Sequence, residues 1–267
     1  MITPKNSYRK IAIYLALTFG LSSIFYYLII SAGSLNVKGG MYVIGLMWCP
    51  GISAIITQLI FHKNLKGLGW KWGKTKYQLT AYFLPILYAF IAYGLIWTTG
   101  LGKYNGYIPS NLFNFLVMGT LMSCFTALGE EIGWRGFLVP ELAKVTSYTK
   151  LSLISGIIWS VYHYPVLLFA DYNSGTPWWF GLGCFTLLAI GASFIFAWLR
   201  LRSGSVWTAM FLHASHNLYI QSYFDQTTDD TGITAYISSE FGIALALVIS
   251  VVAFLFWRKR SELPTYA

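Results

Sequence analysis

Eight apolar runs, each near the length of a bilayer crossing, constrain this chain more than any other feature. They fall at roughly 11–31, 41–62, 78–99, 112–133, 151–170, 179–199, 205–223 and 240–257. A hydrocarbon core about 30 Å thick is crossed by about 20 apolar residues in a helix. The hydrocarbon offers no partner to an unpaired backbone amide, so each run is expected to be helical. Composition agrees: 56% of residues are hydrophobic and 10% charged, against about 25% charged in a typical soluble domain. The expected fold class is therefore all-α, a polytopic bundle of about eight transmembrane helices, forming one integral membrane domain over 1–267. The run from Ile11 to Ile30 is too long for a signal-peptide core and reads as the first span.

Charge orients the bundle. With the N-terminus in the cytoplasm, every lysine and arginine except Lys38 and Lys103 falls on the cytoplasmic side. Asp171, Asp225, Asp229, Asp230 and Glu240 then fall outside. This is the positive-inside bias, and it places both termini in the cytoplasm. The net charge of +9 is explained the same way. No basic stripe or recognition motif points to nucleic acid. Cys49, Cys124 and Cys184 are odd in number, lack CxxC spacing, and read as core or lipid-facing thiols. The amphipathic stretch Gly136 to Val145 is expected to form a short interfacial helix after the fourth span.

Ionisable residues inside such spans are costly and mark functional sites by default. The fourth span ends in LGEEIGWRGFL, with Glu130, Glu131 and Arg135. The fifth holds His163 in IIWSVYHYPV, and the seventh holds His213, His216 and Asn217 in MFLHASHNLYI. Glu131 and Arg135 are four apart and share a helix face, so they are expected to pair. Glu130 is rotated about 100° away and is free to face a cavity. His213 and Asn217 project side by side. His216 either joins them or bonds a neighbouring helix. Trp134 and Tyr164 are expected at most to wall the cavity.

Three helices thus bring a carboxylate, an imidazole and an imidazole–amide pair to one place, which suits peptide-bond hydrolysis. A poorly solvated carboxylate can take a proton from water, with an imidazole assisting. An imidazole and an amide can donate to the oxyanion of a tetrahedral intermediate. Neither GxSxG nor HExxH is present. If a divalent metal such as zinc is bound, Glu130, His163 and His213 are its candidate ligands.

These residues resemble a known family. EExxxR (Glu130, Glu131, Arg135), an aromatic residue four before a histidine (Trp159, His163) and HxxxN (His213, Asn217) occur in the order found in the CAAX-protease and bacteriocin-processing enzymes. That family includes the type 2 CAAX prenyl endopeptidases. Its second motif usually begins with Phe, where this chain has Trp159. The resemblance covers roughly 112–225, the expected peptidase core. It implies that Glu130 and His163 activate water, that His213 and Asn217 form the oxyanion hole, and that Glu131 and Arg135 support them. Both a metallopeptidase and a metal-free, glutamate-driven mechanism have been argued for the family. The metal-free reading is preferred here, because an amide beside one histidine is an awkward ligand set.

The expected activity is therefore intramembrane endopeptidase, acting on a hydrophobic or lipidated peptide at a lipid membrane. The alternatives are a proton-coupled transporter or channel and a non-enzymatic bacteriocin-immunity scaffold. Against transport, no inverted repeat is evident.

Overall fold

The computed structural model describes residues 4–264 and shows a helical bundle. The helices are α1 (Pro4–Ala32), α2 (Met41–His62), α3 (Thr75–Thr98), α4 (Leu112–Ala143), α5 (Tyr148–Phe169), α6 (Trp178–Ser203), α7 (206–224) and α8 (Ile243–Arg258). All eight apolar runs are helical, as the bilayer argument requires. Six of these helices, α1 to α6, are long and apolar enough to cross a membrane. The last two are shorter. At about 1.5 Å per residue, the 16 residues of α8 reach only about 24 Å.

Contacts between connecting segments show that all eight helices nevertheless run end to end through the bundle. On one face, Ser34 and Leu35 donate to Asp171 at 2.8 and 2.7 Å, joining the α1–α2 and α5–α6 connections. On that face too, Lys103–Tyr104 pairs antiparallel with Thr228–Asp229. On the opposite face, Lys10 lies 2.9 Å from His62, and Trp207 donates to the Trp70 carbonyl at 2.8 Å. Trp198 also donates there to the Lys259 carbonyl. Both ends of the described chain lie on this second, basic face. It gathers Lys10, Lys144, Arg200 and Lys259.

Two boundaries differ from the sequence reading. The stretch after the fourth span is not an interfacial helix. It continues α4 to Ala143, with Leu138, Val139 and Leu142 buried. Glu141 within it is buried and paired with Lys10 and Lys144. The last helix starts at Ile243 rather than near 240. The chain turns at Ser239 with a left-handed backbone (φ 65°), and Glu240 and Phe241 point inward.

α4 sits between α2 and α7, and changes character along its length. Its first half exposes Leu112, Phe113, Leu121 and Phe125, whereas Glu130 through Val139 are buried. Small residues make the crossing with α2 close. A Cβ on Gly129 would lie 2.8 Å from the Met47 carbonyl oxygen and 2.9 Å from the Trp48 Cα; one on Gly133 would lie 2.6 Å from the Pro50 carbonyl carbon. Membrane helices gain little from water-driven burial between themselves, so such close backbone contact supplies much of their association. It also fixes the height and rotation of Glu130 and Glu131, one residue away.

At the opposite end from the basic face, Tyr93 donates a hydrogen bond to Asp225, just beyond α7. Burial raises the Asp225 carboxyl from 3.8 to about 7, with the Tyr93 hydrogen bond opposing the shift.

Two outcomes are expected. Gly129→Ala should lower the melting temperature of the detergent-purified protein, because backbone must shift, at a cost of about 1–3 kcal/mol. Gly94→Ala, which meets nothing within 4 Å, should leave it unchanged. For Asp225, a raised folded-state value means a stability contribution present below pH 3.8 that is lost as pH rises to about 7. Asp225→Asn should therefore raise the melting temperature above pH 7 and change it little at pH 4, measured by thermal scans at both values.

Candidate active site

The three motif helices meet around a cavity of about 180 Å³. Glu130, His163, His213 and Asn217 all line it, with Trp159, Tyr162, Tyr172, His216 and Glu240. The four residues expected to carry chemistry are thus brought together, although they come from α4, α5 and α7. Glu131 and Arg135 do not line the cavity; they lie behind it, as expected of a supporting pair.

The local backbone is suited to this. Ile132–Leu138 of α4 and Asn217–Phe224 of α7 are π-helical. Such wider turns recur at functional sites because they re-aim side chains without breaking the helix. One begins directly after Glu131 and the other at Asn217.

Behind the cavity, Glu131 Oε1 accepts from Arg135 Nη1 at 2.9 Å and lies 2.9 Å from His213 Nδ1. The Arg135 guanidinium packs on both Trp159 (4.4 Å to the ring centroid) and Phe196 (4.0 Å), whose rings meet edge to face. A planar, weakly hydrated guanidinium suits such buried aromatic contact better than a strongly hydrated ammonium. Arg200 reaches across to donate to the Arg135 carbonyl at 2.8 Å.

At the cavity wall, Glu130 Oε2 accepts from two indoles: Trp159 at 2.9 Å and Trp134 at 3.1 Å. His163 Nδ1 lies 2.8 Å from the Trp159 carbonyl. A carbonyl only accepts, so Nδ1 carries a proton, and Nε2 is the ring nitrogen left for the cavity. His213 Nδ1 faces a carboxylate and must likewise carry a proton. Its Nε2 is then left for the cavity. The Asn217 side chain is engaged by no described residue.

His216, left open in the sequence, belongs to a separate network. It lies 2.6 Å from the Tyr88 hydroxyl and 2.7 Å from Glu240 Oε1. Glu240 Oε2 accepts from Tyr172 at 2.8 Å and Gln221 at 3.0 Å. This network closes the cavity at the end away from the basic face. The sequence grouped Glu240 with the external loop acids; the only signal for its burial was its place at the start of an apolar run. Trp159 was read only for bulk and Trp134 only as a wall, yet both donate to Glu130. Tyr164 is not a cavity residue; its hydroxyl lies 2.9 Å from Thr186 on α6.

Of the candidate metal ligands, Glu130 engages two indoles through Oε2 and His213 meets Glu131 through Nδ1, so Glu130 Oε1, His163 Nε2 and His213 Nε2 are the atoms that would hold an ion. Among the described residues no group of three His, Cys, Asp or Glu side chains is placed to share one.

A buried carboxylate and imidazoles converging in a polytopic membrane bundle define a candidate intramembrane hydrolase site. Comparisons with known proteins agree. Residues 112–219 match the family described as type II CAAX prenyl endopeptidase Rce1-like. "CAAX prenyl protease 2" of Methanococcus maripaludis is 32% identical over 97 residues, covering 33% of this chain and 34% of that protein. The chain thus spans about a third of the length of the curated relative it matches. Residues 112–219, which contain all three motifs, are thus similar to the type II CAAX prenyl endopeptidase Rce1-like family.

Removing the guanidinium should expose how much the site depends on its support. Arg135→Ala leaves Glu131 a buried carboxylate without its guanidinium, a change costing about 3–5 kcal/mol in comparable buried pairs. A drop of many degrees in the detergent melting temperature is expected, or failure to recover folded protein.

Proposed function

We propose that this protein is an intramembrane endopeptidase cutting a hydrophobic or lipidated, CAAX-like peptide, with its catalytic core at about 112–225. The observation that carries this reading is that Glu130, His163, His213 and Asn217, dispersed in sequence, line one cavity. Prenylated peptide is the substrate class that the matched family suggests, and membrane lipid is its surrounding solvent. The basic face is assigned to the cytoplasm by its lysines and arginines, which puts both termini there.

The geometry supports one order of events. A water between Glu130 Oε1 and His163 Nε2 gives a proton to Glu130 as its oxygen attacks the scissile carbonyl carbon. His163 Nε2 accepts the hydrogen bond from the second water proton. The new oxyanion accepts from the Asn217 amide and from His213 Nε2–H. With Nδ1–H committed to Glu131, the second N–H makes His213 an imidazolium. The charges of Glu130, Glu131, Arg135 and His213 then sum to zero, which suits a site remote from water. Finally the C–N bond breaks, the Glu130 proton passes to the leaving nitrogen, and a carboxylic acid and an amine are released. Beyond water, every group in this sequence of steps is a side chain of this protein, so the proposed mechanism is metal-free.

Purified protein in detergent, given a quenched prenylated peptide, should cleave it. Glu130→Ala should lower the rate by at least about 10²–10⁴-fold, the usual contribution of a general base, and His163→Ala should also impair it. Equal cleavage by wild type and Glu130→Ala would reject the assignment.

A further inference from the structure

We propose that Trp159 and Trp134 are positioning residues that clamp Glu130 through their indole N–H groups, Trp159 being the principal one. The inference rests on Glu130 acting as the base. Both indoles donate to the same oxygen, Oε2, at 2.9 and 3.1 Å. Oε1 receives no donor from the described residues and is the oxygen left for water.

The chemistry of the neighbours makes the clamp necessary. Glu131 beside it is held by two cationic or potentially cationic groups, Arg135 and His213. Glu130 has no such partner among its hydrogen bonds. A carboxylate buried without donors would turn away or be neutralised. A carboxylate paired tightly to a cation would be held, but with its charge already compensated. Neutral N–H donors hold the carboxylate and leave its second oxygen available.

Trp159 does more than donate. Its ring lies 5.8 Å from the His163 ring and 5.7 Å from the His213 ring, edge-on to both, and 4.4 Å from the Arg135 guanidinium carbon. Its backbone carbonyl orients His163. One residue therefore touches the base, both imidazoles and the supporting cation. A phenyl ring here would keep the apolar contacts and lose the donor, so the departure of Trp159 from Phe in the second motif adds a hydrogen bond to the site. Trp134 is wedged more deeply, against Tyr14 and Tyr162, and is the less tractable of the two to replace.

Two replacements separate donor from ring. Trp159→Phe removes the N–H and trims the ring. Incorporation of β-(3-benzothienyl)alanine at position 159 replaces only N–H by sulfur and keeps the shape. With the quenched prenylated peptide as probe, both should lower kcat about tenfold to a hundredfold, the worth of a hydrogen bond to a charged group. KM should stay within about twofold. A benzothienyl variant as fast as wild type would overturn the proposal, whether or not the Phe variant folds, because the ring alone would then suffice. So would a loss confined to KM. Glu130→Ala, assayed alongside, tests the underlying reading. If it cleaves like wild type, the endopeptidase assignment fails; if it is dead while the benzothienyl variant is unimpaired, only the clamp fails.

Discussion

The structure depends on one constraint: charge carried to the depth of a bilayer must be compensated by the protein itself. Glu131 meets it through Arg135 and His213, and Arg135 is further enclosed by two aromatic faces. The Glu131–His213 contact ties α4 to α7, and Trp159 brings in α5. Pairs of this kind are poor sources of net stability compared with an apolar core, but strongly unfavourable to break. They therefore specify one arrangement of helices more than they strengthen it. The cavity exists where that arrangement leaves room.

Two further devices hold the site in register. The close approach of α2 to α4 at Gly129 and Gly133 sets the depth of the glutamates. The π-helical turns start directly after Glu131 and at Asn217, and the helical rotation of about 100° per residue turns Glu130 and Glu131 to different neighbours. Trp134 and Arg135 each reach back four residues, to Glu130 and Glu131 respectively. The two adjacent carboxylates thus receive different partners, one neutral and one charged. In the proposed mechanism, a base and a structural anion thus arise from the same residue type side by side.

The far end of the cavity is closed by Glu240, His216, Tyr88, Tyr172 and Gln221, a network in which both oxygens of Glu240 are satisfied. It binds the segment before α8 to α3, α7 and the α5–α6 connection.

Much of this was legible in the sequence because membranes simplify the code. A long apolar run in hydrocarbon has one stable conformation, so eight helices could be read from composition and length. A charge inside such a run has few reasons to persist, so Glu130, Glu131, Arg135, His163, His213 and Asn217 stood out. The sequence could not show that Glu141 is buried, that the chain turns inward at Glu240, or that two tryptophans donate to Glu130. Those facts depend on how helices distant in the chain are rotated and offset against one another. Local periodicity determines which residues share a face; only tertiary packing decides what each face meets, because a hydrogen bond needs its donor and acceptor within about 3 Å, and no pattern along a single helix carries that distance.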